Sequence, residues 1–82
     1  MTVGWSARKH GIDDEDAEHA VENAVTFERK HDGTWLYLGP SRSGAMLEVV
    51  KAVRGDGSEL LIHAMPIREK HKRLLPGHRA RR

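Results

Sequence analysis

The sequence predicts a small α+β domain, in which an antiparallel sheet of three to four strands carries an N-terminal helix and a C-terminal helix. Three observations lead to this fold class. Apolar residues recur at helical spacing across residues 12–24, which is typical of an amphipathic helix. Later segments alternate in hydropathy or are rich in β-branched residues, as strands are. Short glycine-containing turns separate these segments, and such turns connect antiparallel neighbours.

The first helix is predicted over residues 12–24. Asp13 is a suitable N-cap, and Asp16 stands three residues later, as in a carboxylate variant of the capping box. Further acids in the first turn suit the positive end of the helix dipole. The apolar stripe is made of small residues such as Ala17 and Ala20. A stripe of this kind allows the helix to lie close to a sheet.

Three later segments are predicted to be strands, and one earlier segment is ambiguous. Residues 25–31 could form a short first strand. Residues 34–39 form a strand with Trp35 and Tyr37 on one face and Leu36 and Leu38 on the other. Residues 45–54 and 59–65 form a hairpin around the turn at 54–58. The second of these strands is apolar on both faces, which favours a central position in the sheet.

The C-terminal helix is predicted over residues 67–75, with Pro66 in its first turn. The Pro-Gly pair at 76–77 ends this helix. Residues 76–82 form a basic tail that is too short and polar to fold, and we expect it to be disordered. Residues 1–75 then form a single domain.

Size and composition exclude several classes of function. An 82-residue chain supports one small core and no deep cofactor cavity, so we expect no cofactor. The chain has no cysteine, which excludes disulfides and thiolate metal sites. Its six histidines are not spaced like metal ligands, and we expect no metal. No apolar run is long enough to cross a membrane, and the N-terminus lacks the apolar core of a signal peptide, so we expect a cytoplasmic protein with no membrane partner.

Charge is distributed unevenly along the chain. Residues 1–41 contain four Lys and Arg against eight acids, a net charge of −4. Residues 42–82 contain ten Lys and Arg against four acids, a net charge of +6. The segment ELLIHAMPIREKHKR, residues 59–73, joins an apolar strand directly to clustered cations. A rigid strand that presents cations in this way indicates a phosphate-rich partner such as a nucleic acid.

An ordered set of short motifs resembles a known family. The set consists of Trp5 followed by KHGI at 9–12, an acidic helix, the G-x-x-L-x-V-V strand at 44–50, and the I-x-A strand end at 62–64 before a basic helix. Over residues 5–75 the chain resembles the BrnT-like toxins of the RelE/ParE superfamily. The resemblance implies a RelE-like fold.

The resemblance also implies a function and partners. BrnT-like proteins are ribonuclease toxins of type II toxin–antitoxin systems, which cleave mRNA without a metal ion and arrest growth. The implied partners are a cognate antitoxin of ribbon-helix-helix type and RNA, free or on the ribosome. This chain departs from the family at the end of the last strand, where relatives usually have I-S-A-R and this chain has His63 and Met65. His63 or Arg68 would then replace the missing arginine in catalysis.

Metal-free RNA cleavage requires an acid, a base and cations that stabilise the phosphorane. We expect His63, His10 and Arg68 to be catalytic, because imidazole titrates near neutral pH and guanidinium binds phosphate well. Glu48 is a lone carboxylate among apolar residues, and we expect it to pair with a cation, although it is also a candidate base. The residues expected to bind RNA are Arg42, Lys51, Arg54, Lys70, Lys72, Arg73 and Tyr37.

Two other functions fit the same pattern. The chain could be a degenerate toxin, that is, a non-catalytic module whose basic segment only binds nucleic acid or protein. It could also be a ParE-like inhibitor of gyrase that acts through protein contacts alone.

Overall fold

A computed structural model describes residues 2–3 and 11–76 of the chain. Five strands and two helices are present in this part. The strands are β1 (Thr2–Val3), β2 (Thr26–Arg29), β3 (Trp35–Pro40), β4 (Met46–Val53) and β5 (Glu59–Pro66), and the helices are α1 (Asp14–Glu22) and α2 (Glu69–Lys72). The strands form one sheet in the order β1-β5-β4-β3-β2. β2 to β5 pair antiparallel, and β1 pairs parallel to β5.

One face of the sheet packs against α1 and forms the main core. We call this the helix face, and it is defined by Tyr37, Val49 and Leu61. Ala17 and Ala20 of α1 are buried against it. Burial of these apolar groups supplies the main stabilisation of the α1–sheet contact.

Gly39 determines how closely α1 approaches the sheet. A Cβ atom at this position would collide with the backbone carbonyl of Ala20. The ring Nδ1 of His19 also donates a hydrogen bond to the carbonyl oxygen of Pro40, at 2.8 Å. The small-residue stripe of α1 therefore lies against the sheet backbone, as the sequence predicts.

The opposite face of the sheet contains Leu36, Leu38 and Glu48, all of them buried. We call this the site face. The polypeptide that follows β5, including α2, lies against it, and Leu74 lines a small cavity there with Leu36 and Leu38. The predicted division of β3, with Trp35 and Tyr37 on one face and the two leucines on the other, is confirmed by the burial and pairing of these residues.

The predicted α+β class is confirmed, and the segment at residues 25–31 does contain a strand, β2. Three details of the structure differ from the prediction. The strand β1 was not predicted. Asp13 is the N-cap of α1, as predicted, but its side chain makes no capping hydrogen bond and Asp16 bonds to Arg42, so the predicted capping box is not formed. The C-terminal helix contains only four residues, and Pro66 ends β5 opposite Leu47 instead of beginning the helix.

Two further expectations are addressed only in part by the structure. The basic tail at 76–82 lies, apart from Pro76, outside the described residues. In the described part of the chain, no helix combines the length and the apolar character needed to cross a lipid bilayer.

Candidate functional site

A buried carboxylate lies at the centre of the site face. Glu48 of β4 is 0% exposed, and its cross-strand neighbours are Leu38 of β3 and Met65 of β5. A charged group in such an apolar setting is costly unless several donors satisfy it. The residues that follow β5 supply most of these donors.

Three cationic or titratable side chains surround Glu48. Arg68 donates from Nε to Oε1 at 2.9 Å, and its Nη2 lies 2.7 Å from the same oxygen. Nδ1 of His71 lies 2.8 Å from Oε2, and Nε2 of His63 lies 3.3 Å from Oε1. We call Glu48, His63, Arg68 and His71 the Glu48 cluster.

The electrostatics of the cluster favour an ionised Glu48. Burial by itself would raise the pKa of this carboxyl group, but hydrogen bonds from Arg68 and His71 outweigh burial and lower the pKa to about 2. Glu48 is therefore a carboxylate at every physiological pH. Such a carboxylate orients adjacent imidazole rings and favours the tautomer whose N–H group points towards it.

A β-bulge brings His63 into the cluster. The pairing of β4 with β5 shifts between Val50 and Lys51, so that Leu61 pairs with Lys51 while His63 pairs with Val50. Leu61 therefore faces α1, and His63 faces the same side as Glu48. Strict alternation from Leu61 would have directed His63 to the helix face.

The contacts of Glu48 also explain why α2 begins only at Glu69. The N–H group of Ile67 still bonds to the carbonyl of Met46, which extends the strand pairing past Pro66. The N–H group of Arg68 donates to Oε2 of Glu48 at 2.9 Å, and Arg68 has extended backbone angles. Glu48 thus holds Arg68 in an extended conformation, and the helix begins at Glu69. This position places Arg68 and His71 over the carboxylate.

His71 also faces a cleft beside the cluster. This cleft has a volume of about 310 Å³ and is lined by Lys70, Arg73, Leu74 and Glu28 as well as His71. The side chain of His71 is 12% exposed, and that of Arg68 is 45% exposed. A phosphate group in this cleft would meet two lysine or arginine side chains next to an imidazole. Lys72 is ion-paired with Glu69, at 3.2 Å.

The predicted site residues are only partly brought together. His63 and Arg68 are in the cluster, and Lys70 and Arg73 line the cleft next to it. His10 lies outside the described residues. Glu48 pairs with a cation, as expected, and was otherwise only an alternative candidate base, while His71 was not predicted to be a site residue. The apolar setting of Glu48 and the histidine three residues after Arg68 were the available signals.

Arg42, Lys51 and Arg54 do not contribute to the cluster. Arg42 forms ion pairs with three carboxylates near the start of α1, Asp13, Glu15 and Asp16, at 3.4, 2.7 and 2.9 Å respectively. Because its guanidinium is engaged by these carboxylates, the structure does not support the expectation that Arg42 binds RNA. Arg54 is exposed in the β4–β5 turn, which joins the ends of those strands distant from Glu48 and Pro66.

Lys51 and Tyr37 lie on the helix face, opposite the cluster. Nζ of Lys51 is 3.0 Å from Oε2 of Glu59 and 5.0 Å from the centre of the Tyr37 ring. The side chain of Lys51 is 9% exposed. If either residue binds RNA, it must do so through a second RNA-binding surface, on the helix face and separate from the Glu48 cluster.

Two further results concern ligands and relatives. Within residues 2–3 and 11–76, no group of three or more His, Cys, Asp and Glu is arranged to hold a metal ion. Comparison with protein-family models, with curated proteins and with solved structures gives no match.

Proposed function

We propose that this protein is a metal-independent endoribonuclease of the RelE-like type, acting as the toxin of a type II toxin–antitoxin system. The observation that supports this proposal best is the Glu48 cluster, in which two imidazoles and a guanidinium surround one ionised carboxylate. These groups match the requirements of RNA transesterification. The resemblance of residues 5–75 to BrnT-like toxins supports the biological role.

The proposed reaction uses the two histidines as a pair. One imidazole is neutral and accepts the proton of the ribose 2′-hydroxyl, whose oxygen attacks phosphorus. The other is an imidazolium and donates its proton to the 5′-oxygen as the bond between phosphorus and that oxygen breaks. The products are a 2′,3′-cyclic phosphate and a 5′-hydroxyl. A positioned acid or base typically contributes about 10²- to 10⁴-fold to the rate.

Arg68 and Glu48 have supporting roles in this mechanism. The side chain of Arg68 is 45% exposed while its Nε and Nη2 contact Glu48, so part of the guanidinium is accessible to a phosphate. It would stabilise the charge that develops on the phosphorane oxygens. Glu48 is a positioning residue, because it is buried beneath His63, Arg68 and His71 and holds them in place.

One observation favours a second candidate, a non-catalytic phosphate-binding module. His63, Arg68 and His71 all contact Glu48, and a fully satisfied ion cluster of this kind can simply fasten the C-terminal segment to the sheet. The cations of the cleft would then bind phosphate with no chemistry following.

Induced expression in a bacterial host distinguishes these functions, with growth and RNA 5′ ends followed together. Under the proposal, the wild-type chain arrests growth and creates new 5′-hydroxyl ends, and His63→Ala and His71→Ala abolish both effects. His31→Ala is the matched control, since His31 is exposed in a turn. Growth arrest with intact RNA would indicate a protein target such as gyrase. Absence of arrest from a folded product would favour the binding module.

A further inference from the structure

A row of three aromatic rings lies on the helix face beside α1. Phe27 of β2 pairs directly with Tyr37 of β3, and its ring centre is 6.1 Å from that of Tyr37 with an angle of 26° between the planes. Trp35 is two residues before Tyr37 on β3, and its ring centre is 6.0 Å from that of Phe27, with an angle of 43° between the planes. We call Phe27, Trp35 and Tyr37 the aromatic row. The Glu48 cluster lies on the opposite face of the sheet, so the two features are separate.

One ring of the aromatic row is largely exposed, while Trp35 and Tyr37 are partly buried. Phe27 is 63% exposed, although it is the only phenylalanine of the chain. α1 packs against the part of the face near Gly39 and leaves the Phe27 end uncovered. A large apolar ring held open to solvent by its neighbours is a feature of binding surfaces.

Arg29 of β2 and Lys51 of β4 are the two cross-strand neighbours of Trp35. Arg29 pairs directly with Trp35, is exposed, and makes no ion pair with any described residue. On the other side of Trp35, the ammonium group of Lys51 lies 5.0 Å from the centre of the Tyr37 ring. This contact helps to fix the ring, since a cation near an aromatic face is attracted to it. Lys51 is nearly buried, pairs with Glu59 and lines a cleft with Glu18 and Glu22, so of these two cations Arg29 is the one available to a phosphate.

We infer that the aromatic row binds single-stranded RNA by stacking on its bases. Stacking platforms on sheet surfaces combine aromatic rings with nearby cations. Here the exposed ring of Phe27 and the partly exposed rings of Trp35 and Tyr37 lie beside the exposed Arg29. A surface for an apolar protein partner would not need two rings within about 6 Å of the exposed Phe27 ring and an exposed arginine beside Trp35. The observations therefore favour nucleic acid over protein as the occupant.

The position of the row suggests how one RNA strand would use both faces. β2 is the edge strand of the sheet and carries Phe27 on the helix face. The next residue, Glu28, lines the cleft that contains His71 on the site face. A strand stacked on the row can therefore pass around the β2 edge and bring a phosphate to the Glu48 cluster. This inference rests on the proposed function, because it takes RNA as the substrate.

The test measures binding separately from cleavage. A fluorescein-labelled 2′-O-methyl oligouridylate of about ten nucleotides is used as the probe, because it lacks the attacking hydroxyl and fits the usual size of such sites. We expect Phe27→Ala to weaken binding roughly 10-fold, as measured by fluorescence anisotropy. Phe27→Leu should weaken it to a similar degree, since leucine keeps the apolar bulk but offers no ring. Val53→Ala is the control, because Val53 is 53% exposed on β4 and lies outside the row.

The outcomes separate this inference from the proposed function. Wild-type affinity in Phe27→Ala would overturn the inference even if unmodified RNA is cleaved in a His63- and His71-dependent manner. Wild-type affinity in Phe27→Leu with a loss in Phe27→Ala would also overturn it, because an apolar contact would then suffice. Loss of binding in both variants, with no cleavage of unmodified RNA by the wild type, would support the stacking surface and reject the ribonuclease.

Discussion

Glu48 and Arg68 are joined through both the backbone and the side chain of the arginine. The Arg68 N–H group donates to Oε2 of Glu48 at 2.9 Å, while Nε and Nη2 lie 2.9 and 2.7 Å from Oε1. This arrangement makes a buried carboxylate of β4 the attachment point for the segment that follows β5. The same contacts therefore determine where α2 begins and where the candidate catalytic groups lie.

Glu48→Gln should lower stability in a pH-dependent way. The pKa of Glu48 is lowered from 4.5 to about 2 in the folded state, so the unfolded state binds more protons between these values. The contribution of this pKa shift to the free energy of unfolding is complete above pH 4.5 and is lost as the pH falls towards 2. It amounts to about 3 kcal/mol. Urea unfolding at neutral and acidic pH measures this. We expect the gap between wild type and variant to narrow on acidification, and a constant gap would contradict this role.

Arg68→Lys should show whether the positive charge at position 68 is sufficient or whether the planar guanidinium group is also needed. Lysine keeps the positive charge and the backbone N–H group, but it cannot contact Glu48 through two nitrogens of a planar group. We expect RNA cleavage to fall roughly 10- to 100-fold, with a loss of stability of about 1–2 kcal/mol. Cleavage rates at saturating RNA and urea unfolding would be measured on the same preparations. Full activity in the lysine variant would show that the guanidinium has no special role.

The two histidines should differ in their response to a better leaving group. An RNA whose scissile 5′-oxygen is replaced by sulfur needs no general acid, because a thiolate leaves without protonation. We expect either single variant, His63→Ala or His71→Ala, to lose about 100-fold or more on ordinary RNA. On the 5′-thio substrate, the variant that lacks the acid should recover and the one that lacks the base should not. Equal recovery of both variants would contradict an acid–base pair.

Arg42→Ala should leave RNA cleavage unchanged. Arg42 forms ion pairs with Asp13, Glu15 and Asp16, and these contacts fasten the β3–β4 loop to the start of α1. The guanidinium lowers the pKa of Asp16 through a hydrogen bond. We expect a small decrease in thermal midpoint at low salt that shrinks at high salt, since the pairs are exposed. A large loss of cleavage with an unchanged midpoint would assign Arg42 to the RNA-binding surface after all.

The sequence was informative where a pattern is local. Alternating apolar residues located β3 and β4, and the alanine stripe of α1 predicted its close approach to the sheet. The length of the C-terminal helix was overestimated, because helix propensity does not take account of distant contacts. Glu48, 20 residues before Arg68, accepts a hydrogen bond from the Arg68 N–H group. The orientation of His63 depends on a bulge between β4 and β5, which has no clear signature in either strand. The site was therefore predicted in part, through His63, Arg68 and the cation pairing of Glu48, while the central position of Glu48 and the part played by His71 were not.

The most direct test is cleavage of a labelled single-stranded RNA by the purified chain in excess EDTA, with a His63→Ala/His71→Ala double variant in parallel. The proposal predicts that the wild type produces fragments ending in a 2′,3′-cyclic phosphate and a 5′-hydroxyl, and that a folded double variant produces none. A folded wild type that leaves the RNA intact, or a double variant that cleaves at the wild-type rate, would contradict the assignment of the Glu48 cluster as a ribonuclease site.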